Sequence, residues 1–263
     1  VRYQTGPFNI NLKTQNRSLI QVLHQFYASA QTVASEEVCQ FHIDISRSQG
    51  LRRFLRPKAL FAMDSINPFE PYPYDHAFPM LEWGLNFCIG TSANQYLMLH
   101  SAAVERNGKA MILPALPGSG KSTLCAGLIN RGWRLLSDEF GVIDPETGNV
   151  IPLPRSIPLK NQSIDVIRNF APEALMGPLY KKTRKGDVMH LAPPPESLLR
   201  QFEPARPAWV VFPKYEEGAK AELSVENTAM AFTRLSNNSF NYKVTMERGY
   251  HALTKLTRQV KCY

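Results

Sequence analysis

The chain has 263 residues, 44% hydrophobic and 20% charged, an ordinary folded composition with length enough for one large domain or two small ones. Its net charge of +8 suits an anionic ligand, but the excess sits in clusters such as Lys181-Lys182-Thr183-Arg184-Lys185 without an aromatic-basic stacking pattern, so no nucleic-acid partner is expected. No stretch approaches the ~20 apolar residues of a membrane span, VRYQTGPFNINLK has no apolar signal core, and four scattered cysteines lack metal or redox spacing, which together predict a cytoplasmic protein without a membrane partner, disulfide scaffold or zinc site.

In chain order, Phe8 to Leu12 alternates as a strand does, and Ser18 to Ala28 has the spacing of an amphipathic helix. Phe41 to Ile45 is a second alternating strand. Leu51 to Arg56 carries Arg52, Arg53 and Arg56 on an apolar segment, and Ala59 to Met63 is another short strand. The prolines of NPFEPYPYDHAFP mark a loop and a boundary, separating an N-terminal, β-rich α/β accessory region over 1–78 from a second domain over 79–263. A helix is predicted from about Pro79 to Thr91, burying Leu81, Trp83, Leu85, Phe87 and Cys88.

YLMLHSAAVER and KAMILPA flank Asn107-Gly108, a strong two-residue hairpin signal. If Arg106 pairs with Lys109, stepping back pair by pair sets His100 opposite Ala115. There the apolar strand runs into Ala115-Leu116-Pro117-Gly118-Ser119-Gly120-Lys121-Ser122-Thr123, which is the phosphate-loop pattern G-x-x-x-x-G-K-[ST] with alanine at its first glycine. Gly118 and Gly120 permit backbone conformations that let successive N–H groups converge on a polyphosphate. Lys121 brings a positive charge, the Ser122 hydroxyl a ligand for Mg²⁺, and the following helix its positive dipole end. The register therefore predicts an imidazole beside bound phosphates. Either role, structural or phosphate- and acceptor-directed, suits His100.

The helix is predicted over Lys121 to Arg131 with Gly132 as its stop, and Trp133 to Leu136 as a strand ending in Ser137-Asp138-Glu139. Strand, loop, helix and strand form a βαβ unit, whose crossover lays the two strands parallel and their carboxyl ends on one edge. Asp138 and Glu139 then lie near the phosphates, one to hold Mg²⁺ and the other to take a proton from an attacking hydroxyl. GVIDPETGNVIPL reads as a hairpin turning at Pro145 to Gly148. Arg155, Lys160 and Lys185 are candidates to bind phosphate or the acceptor, and KKTRKGD reads as a mobile basic loop that closes over phosphates or an acidic acceptor, or as a solvated charge run. Ala208 to Phe212 is a core strand; Ala229 to Leu235 and Gly249 to Val260 are helices joined through NNSFNY.

His100 in YLMLHSAAVERNG, the loop ALPGSGKSTLCAGL and RGWRLLSDEF resemble, in order and spacing, the HPr kinase/phosphorylase family, which shares its catalytic fold with PEP carboxykinase. LEWGLNFCIG, PLPRSIPLKNQSI, KGDVMHLAPP, WVVFP and SFNY extend the likeness to HPr-kinase-related proteins (HprK-related kinase A) over Leu81 to Tyr242. The resemblance implies an α/β fold of the α+β mixed-sheet kind, with a PEP carboxykinase-like P-loop core. It implies that Lys121 and Ser122 serve ATP and Mg²⁺, that His100 lies near the transferred phosphate, that Asp138 is the base and that Glu139 is on the metal side. The family's later signature is replaced here by PLPRSIPLKN, so the acceptor need not be HPr. A homo-oligomer is compatible with the resemblance. The sequence thus predicts a kinase acting on a hydroxyl, most simply serine of a protein or peptide. A small-molecule kinase and a nucleotide-binding regulatory module are the alternatives.

Overall fold

The computed structural model describes residues 1–49 and 55–263, so most of the arginine-bearing segment Leu51 to Arg56 lies outside the described residues. The chain begins with β1 (Arg2–Thr5), β2 (Phe8–Thr14), α1 (Arg17–Phe26), β3 (Phe41–Arg47), β4 (Lys58–Met63) and β5 (Tyr72–Pro73), whose strands make one sheet in that order. Phe8, Ile10 and Leu12 alternate inward on β2, as their period of two requires. β2 and β3 are parallel, joined through α1, which starts where Asn16 Oδ1 accepts the Leu19 N–H at 3.0 Å.

α2 (Ala77–Ser92) follows the proline-rich stretch and is apolar around most of its circumference, which fits a helix covered on several sides. Gly84 lets it lie against Phe61 of β4, whose ring occupies the space a Cβ would need. The residues packed around α2 include Ile10, Ile45 and Phe61 of the first sheet but also Phe140, Leu153 and Tyr180 from later in the chain. The prolines therefore separate two sheets without separating two cores.

The second sheet is built on the long strand β6 (Leu97–Arg106), paired antiparallel through Asn107-Gly108 with β7 (Lys109–Pro114) in the expected register, Arg106 opposite Lys109 and Ser101 opposite Pro114. Both turn residues have positive φ, as a tight hairpin demands. α3 (Lys121–Ile129) leads to β8 (Arg134–Ser137), and β9 (Phe140–Ile143) turns back as β10 (Val150–Ile151). β8 and β9 both pair antiparallel with β6 and are interrupted only at Asp138-Glu139. β7 and β8 consequently run parallel to each other, as the βαβ reading requires, but with β6 between them.

A third sheet, in the order β11-β13-β12, consists of β11 (Ile157–Lys160), β12 (Met176–Thr183) and β13 (Gly186–Leu191), with α4 (Gln162–Phe170) after its first strand. The rest comprises α5 (Pro195–Leu199), β14 (Arg206–Val210), α6 (Thr228–Asn237), α7 (Tyr242–Gln259) and β15 (Lys261–Cys262). Alternation along β6 feeds two cores: Leu99 and Ala103 face α6 and α7, while Ala102 and Val104 face α3 and the third sheet. The class is mixed α/β with mixed sheets, of the α+β kind. The last helix starts at Tyr242, well before the expected Gly249, and carries a break at Met246 (φ 49°). Among the described residues no helix is long and apolar enough to cross a membrane.

Candidate functional site

The glycine-rich loop leaves β7 at Ala115, which is buried and has no positive φ, so alanine meets the backbone's demand there. Gly118 (φ 87°) and Gly120 (φ 84°) are left-handed, a conformation that costs a residue with a Cβ. Leu116, Pro117 and Gly118 are exposed; Ser119 is pinned by its hydroxyl to Leu116 O at 2.7 Å and by its carbonyl to Tyr215 N at 3.1 Å. α3 begins with Gly120 and has no side-chain cap. Among the described residues the N–H groups of Lys121, Ser122 and Thr123 donate to no protein acceptor. Such a helix start is an anion-binding arrangement.

The interruption between β8 and β9 brings the acid pair to this loop. Ser137 Oγ accepts the Phe140 N–H at 3.2 Å across the break. Ser122 Oγ donates to Asp138 Oδ2 at 2.9 Å, and Lys121 Nζ donates to the Asp138 carbonyl at 2.6 Å. Glu139 Oε2 lies 3.7 Å from Lys121 Nζ and 3.5 Å from His100 Nε2. His100 is held from behind: its N–H donates to Asn238 O, and its carbonyl accepts from Asn238 Nδ2, both at 2.7 Å, while Phe240 stands edge-on to the ring. Lys121, Ser122, Asp138, Glu139 and His100 thus converge.

The two carboxylates differ in character. Burial raises the Asp138 carboxyl above its ordinary range, with the Glu139 charge adding and Lys121 and Ser122 only partly offsetting. Burial would raise Glu139 too, but the His100 contact and the charges of Lys121, His100 and Lys160 outweigh it and hold that carboxyl well below the usual range. Asp138 is therefore the better proton acceptor of the two and Glu139 the fixed negative charge.

Among the described residues no cluster of three or more His, Cys, Asp and Glu has the arrangement of a metal cage. Ser122 Oγ and the adjoining Asp138 and Glu139 carboxylates instead offer the few hard oxygens from which Mg²⁺ is held when phosphate oxygens and water complete its shell. These donors fit that ion.

The three outlying basic candidates divide. Lys160, at the end of β11, is partly buried and senses the charges of Glu139, Asp138 and Lys121; burial chiefly, then the nearby Lys185, lowers its affinity for a proton. Lys185 is exposed with its ammonium 5.6 Å from the Trp83 ring centroid. The expected mobile loop is the tip of the β12–β13 hairpin, anchored by Arg184 N to Tyr72 OH at 3.0 Å and Thr183 Oγ1 to Gly186 O at 2.7 Å. Arg155, expected to bind phosphate or the acceptor, has its terminal nitrogens committed within the protein. Buried in the fold, it gives its guanidinium to Glu82 (2.6 Å to Oε2, 2.7 Å to the carbonyl) and to Asn86 Oδ1 at 2.6 Å. A buried guanidinium needs such a counter-ion; the pairing occupies the two terminal nitrogens and leaves Nε without a partner among the described residues.

Sequence reading did not single out Glu82, Ser156, His190, Asn238 or Phe240. Glu82 alone gave a local signal, a carboxylate inside the apolar helix LEWGLNF. Its partners lie far along the chain: Tyr27 OH donates to Glu82 Oε1 at 2.8 Å and accepts the Ser156 N–H at 3.1 Å. In comparisons with known proteins, no family model matches this chain and no curated sequence is significantly similar to it.

Proposed function

We propose that the chain is an ATP- and Mg²⁺-dependent kinase, related to the HPr kinase family with a PEP carboxykinase-like P-loop core, that phosphorylates a hydroxyl, most simply serine of a protein or peptide. The observation carrying this reading is that one break between β8 and β9 sets Asp138 and Glu139 against Lys121, Ser122 and His100 at the start of α3. A glycine-rich turn without a ligand has no need of that convergence.

On this reading the loop N–H groups and Lys121 hold the β- and γ-phosphates and oppose the charge that spreads over the transferring group. Mg²⁺, held by Ser122 with Asp138 and Glu139, would neutralise phosphate charge. Glu139 stays ionised and fixes Lys121 and His100. Asp138 takes the acceptor's proton. The bond between the γ-phosphorus and its bridging oxygen breaks, ADP leaves, and the acceptor oxygen forms the new ester bond. Lys160 supports the same phosphates from β11.

The test is transfer of labelled γ-phosphate from ATP and Mg²⁺ into a size-fractionated bacterial extract, with Lys121→Ala as blank. The expected result is acid-stable phosphoserine on a protein or peptide band. Label confined to small molecules would shift the acceptor to a metabolite, and ATP binding without transfer would overturn the reading.

A further inference from the structure

A recess of about 20 Å³ is lined in part by Asp138 and Glu139 of the site, with half-buried Trp83 and Asn86 among the other residues that line it and with Arg155, Ser156 and His190 as buried members of the same lining. Five buried polar atoms of this lining hydrogen-bond to no other described protein group: Asp138 Oδ1, Arg155 Nε, Ser156 Oγ and both ring nitrogens of His190. Buried polar groups are satisfied in nearly every folded protein, by protein or by an ordered oxygen. Other unsatisfied buried atoms are spread over the fold, but these five belong to residues that line one small space.

The chemistry of the lining restricts what fits. A polar space needs roughly 10–15 Å³ to take one water-sized group, and that group needs two to four polar partners. Arg155 Nε can only donate and the Asp138 carboxylate can only accept, while the Ser156 hydroxyl does both. Burial together with the Arg155 and Lys160 charges pushes His190 down to about 3, so its ring is neutral and also offers one donor and one acceptor. A hydroxyl, donor and acceptor at once, matches this set. A free anion meets the Asp138 carboxylate and a cation meets Arg155. A methyl group would leave every one of these atoms unpaired.

We infer that this recess is the oxygen-binding half of the acceptor site: it takes water in the free protein and the primary hydroxyl of the acceptor in the loaded one. The inference rests on the kinase reading and adds to it the place and size of the acceptor oxygen. Asp138 then works with both oxygens, Oδ2 bonded to Ser122 and Oδ1, without a partner among the described residues, left for the oxygen in the recess. Ser156, Arg155 and His190 become positioning residues that orient the oxygen lone pair. In the step itself the oxygen in the recess bonds to the γ-phosphorus, the β–γ bridging bond breaks to release ADP, and the hydroxyl proton passes to Asp138. With water the products are ADP and inorganic phosphate; with methanol they are ADP and methyl phosphate.

The experiment uses the full chain with MgATP and, in turn, water alone, methanol and isopropanol, following products by phosphorus NMR and ATP affinity by calorimetry. We expect slow phosphate release in water, diversion to methyl phosphate with methanol, and at least tenfold less ester with isopropanol, whose branched carbon does not fit. Ser156→Val, which places methyl groups in the recess, should lower phosphate and methyl phosphate formation at least tenfold while ATP affinity stays within about threefold. Wild-type rates in that variant, equal use of the two alcohols, or ATP binding without either product would overturn the inference. Should the variant fail to fold, a high-resolution crystal structure of the native chain decides: an ordered oxygen within hydrogen-bond distance of Asp138 Oδ1 is expected, and none there would overturn it. Absence of ATP binding altogether would instead defeat the kinase reading, a result the calorimetry separates from the others.

Discussion

Asp138 divides two regions built on opposite plans. On its Oδ2 side the glycine-rich loop is partly exposed, its first helical N–H groups are unpaired among the described residues, and Lys121 and Ser122 follow one another in the chain. On its other side the polar groups are buried and come from Tyr27, Glu82, Arg155, Ser156 and His190, joined by hydrogen bonds or lining one recess that half-buried Trp83 and Asn86 also border. The open side holds backbone donors and charges ready for a ligand, and contributes little to holding the fold. The closed side ties α1, α2 and the start of the third sheet together around a desolvated ion pair. Substitutions on the two sides should therefore separate binding from stability.

Asp138→Asn sits on the dividing line and carries the largest expected effect. Transfer should fall about 10³-fold, within the range typical of a general base, with ATP affinity changed only a few-fold. Transfer rates with calorimetric binding check it; near-normal transfer would remove Asp138 from the role of base. On the closed side, Glu82→Gln leaves the Arg155 charge buried without its counter-ion and should cost about 3–5 kcal/mol in urea unfolding. Lys121→Ala, on the open side, should abolish ATP binding at a much smaller cost in stability. Equal losses of stability in these two variants would break the comparison.

The same division explains what the sequence made legible. The loop, the Asn107-Gly108 hairpin and the acid pair are local patterns, and the hairpin's register carried His100 to the site because pairing through a two-residue turn leaves no freedom in the count. The pairing of Arg155 with Glu82 was not legible because the partner lies 73 residues earlier and no periodicity reveals it. His190 was invisible for the same reason: a histidine in VMHL looks like any strand residue until the strand is set against Asp138 and Arg155. The basic run looked solvated because lysines dominate it, while its anchors are a tyrosine hydroxyl from β5 and the Trp83 ring on α2. Strands of two residues, such as β5 and β15, exist only through their partners and leave no alternation to read.

Proton linkage sharpens the comparison further. His190 is neutral in the fold down to about pH 3, whereas the unfolded chain protonates it from about 6.5. Between these values the unfolded state binds more protons, so stability falls as the pH falls, by about 3 kcal/mol at pH 4 for this group alone. Asp138, raised in the fold, acts with the opposite sign as it gains its proton, so the His190 contribution is best isolated by difference. Urea unfolding of the native chain and of His190→Gln at pH 7 and pH 4 should show the smaller pH dependence in the variant. Identical slopes would mean that burial of His190 does not set its protonation.

The smallest effect tests whether the open side is as free of packing as it looks. A Cβ on Gly118 would meet nothing within 4 Å, so Gly118→Ala carries only the backbone cost of its left-handed conformation, about 1 kcal/mol. Gly120 has the same conformation, but a Cβ there would lie 3.1 Å from Tyr215 Cβ. Gly120→Ala must therefore add to the backbone cost a displacement of Tyr215, whose N–H is bonded to the Ser119 carbonyl. The difference in unfolding free energy between the two variants isolates that contact, because the backbone term is shared. A larger loss for Gly120→Ala would show that Tyr215 fixes the loop before any phosphate arrives. Equal losses would mean that the segment carrying Tyr215 yields, leaving the loop's shape to its two glycines and to its ligand.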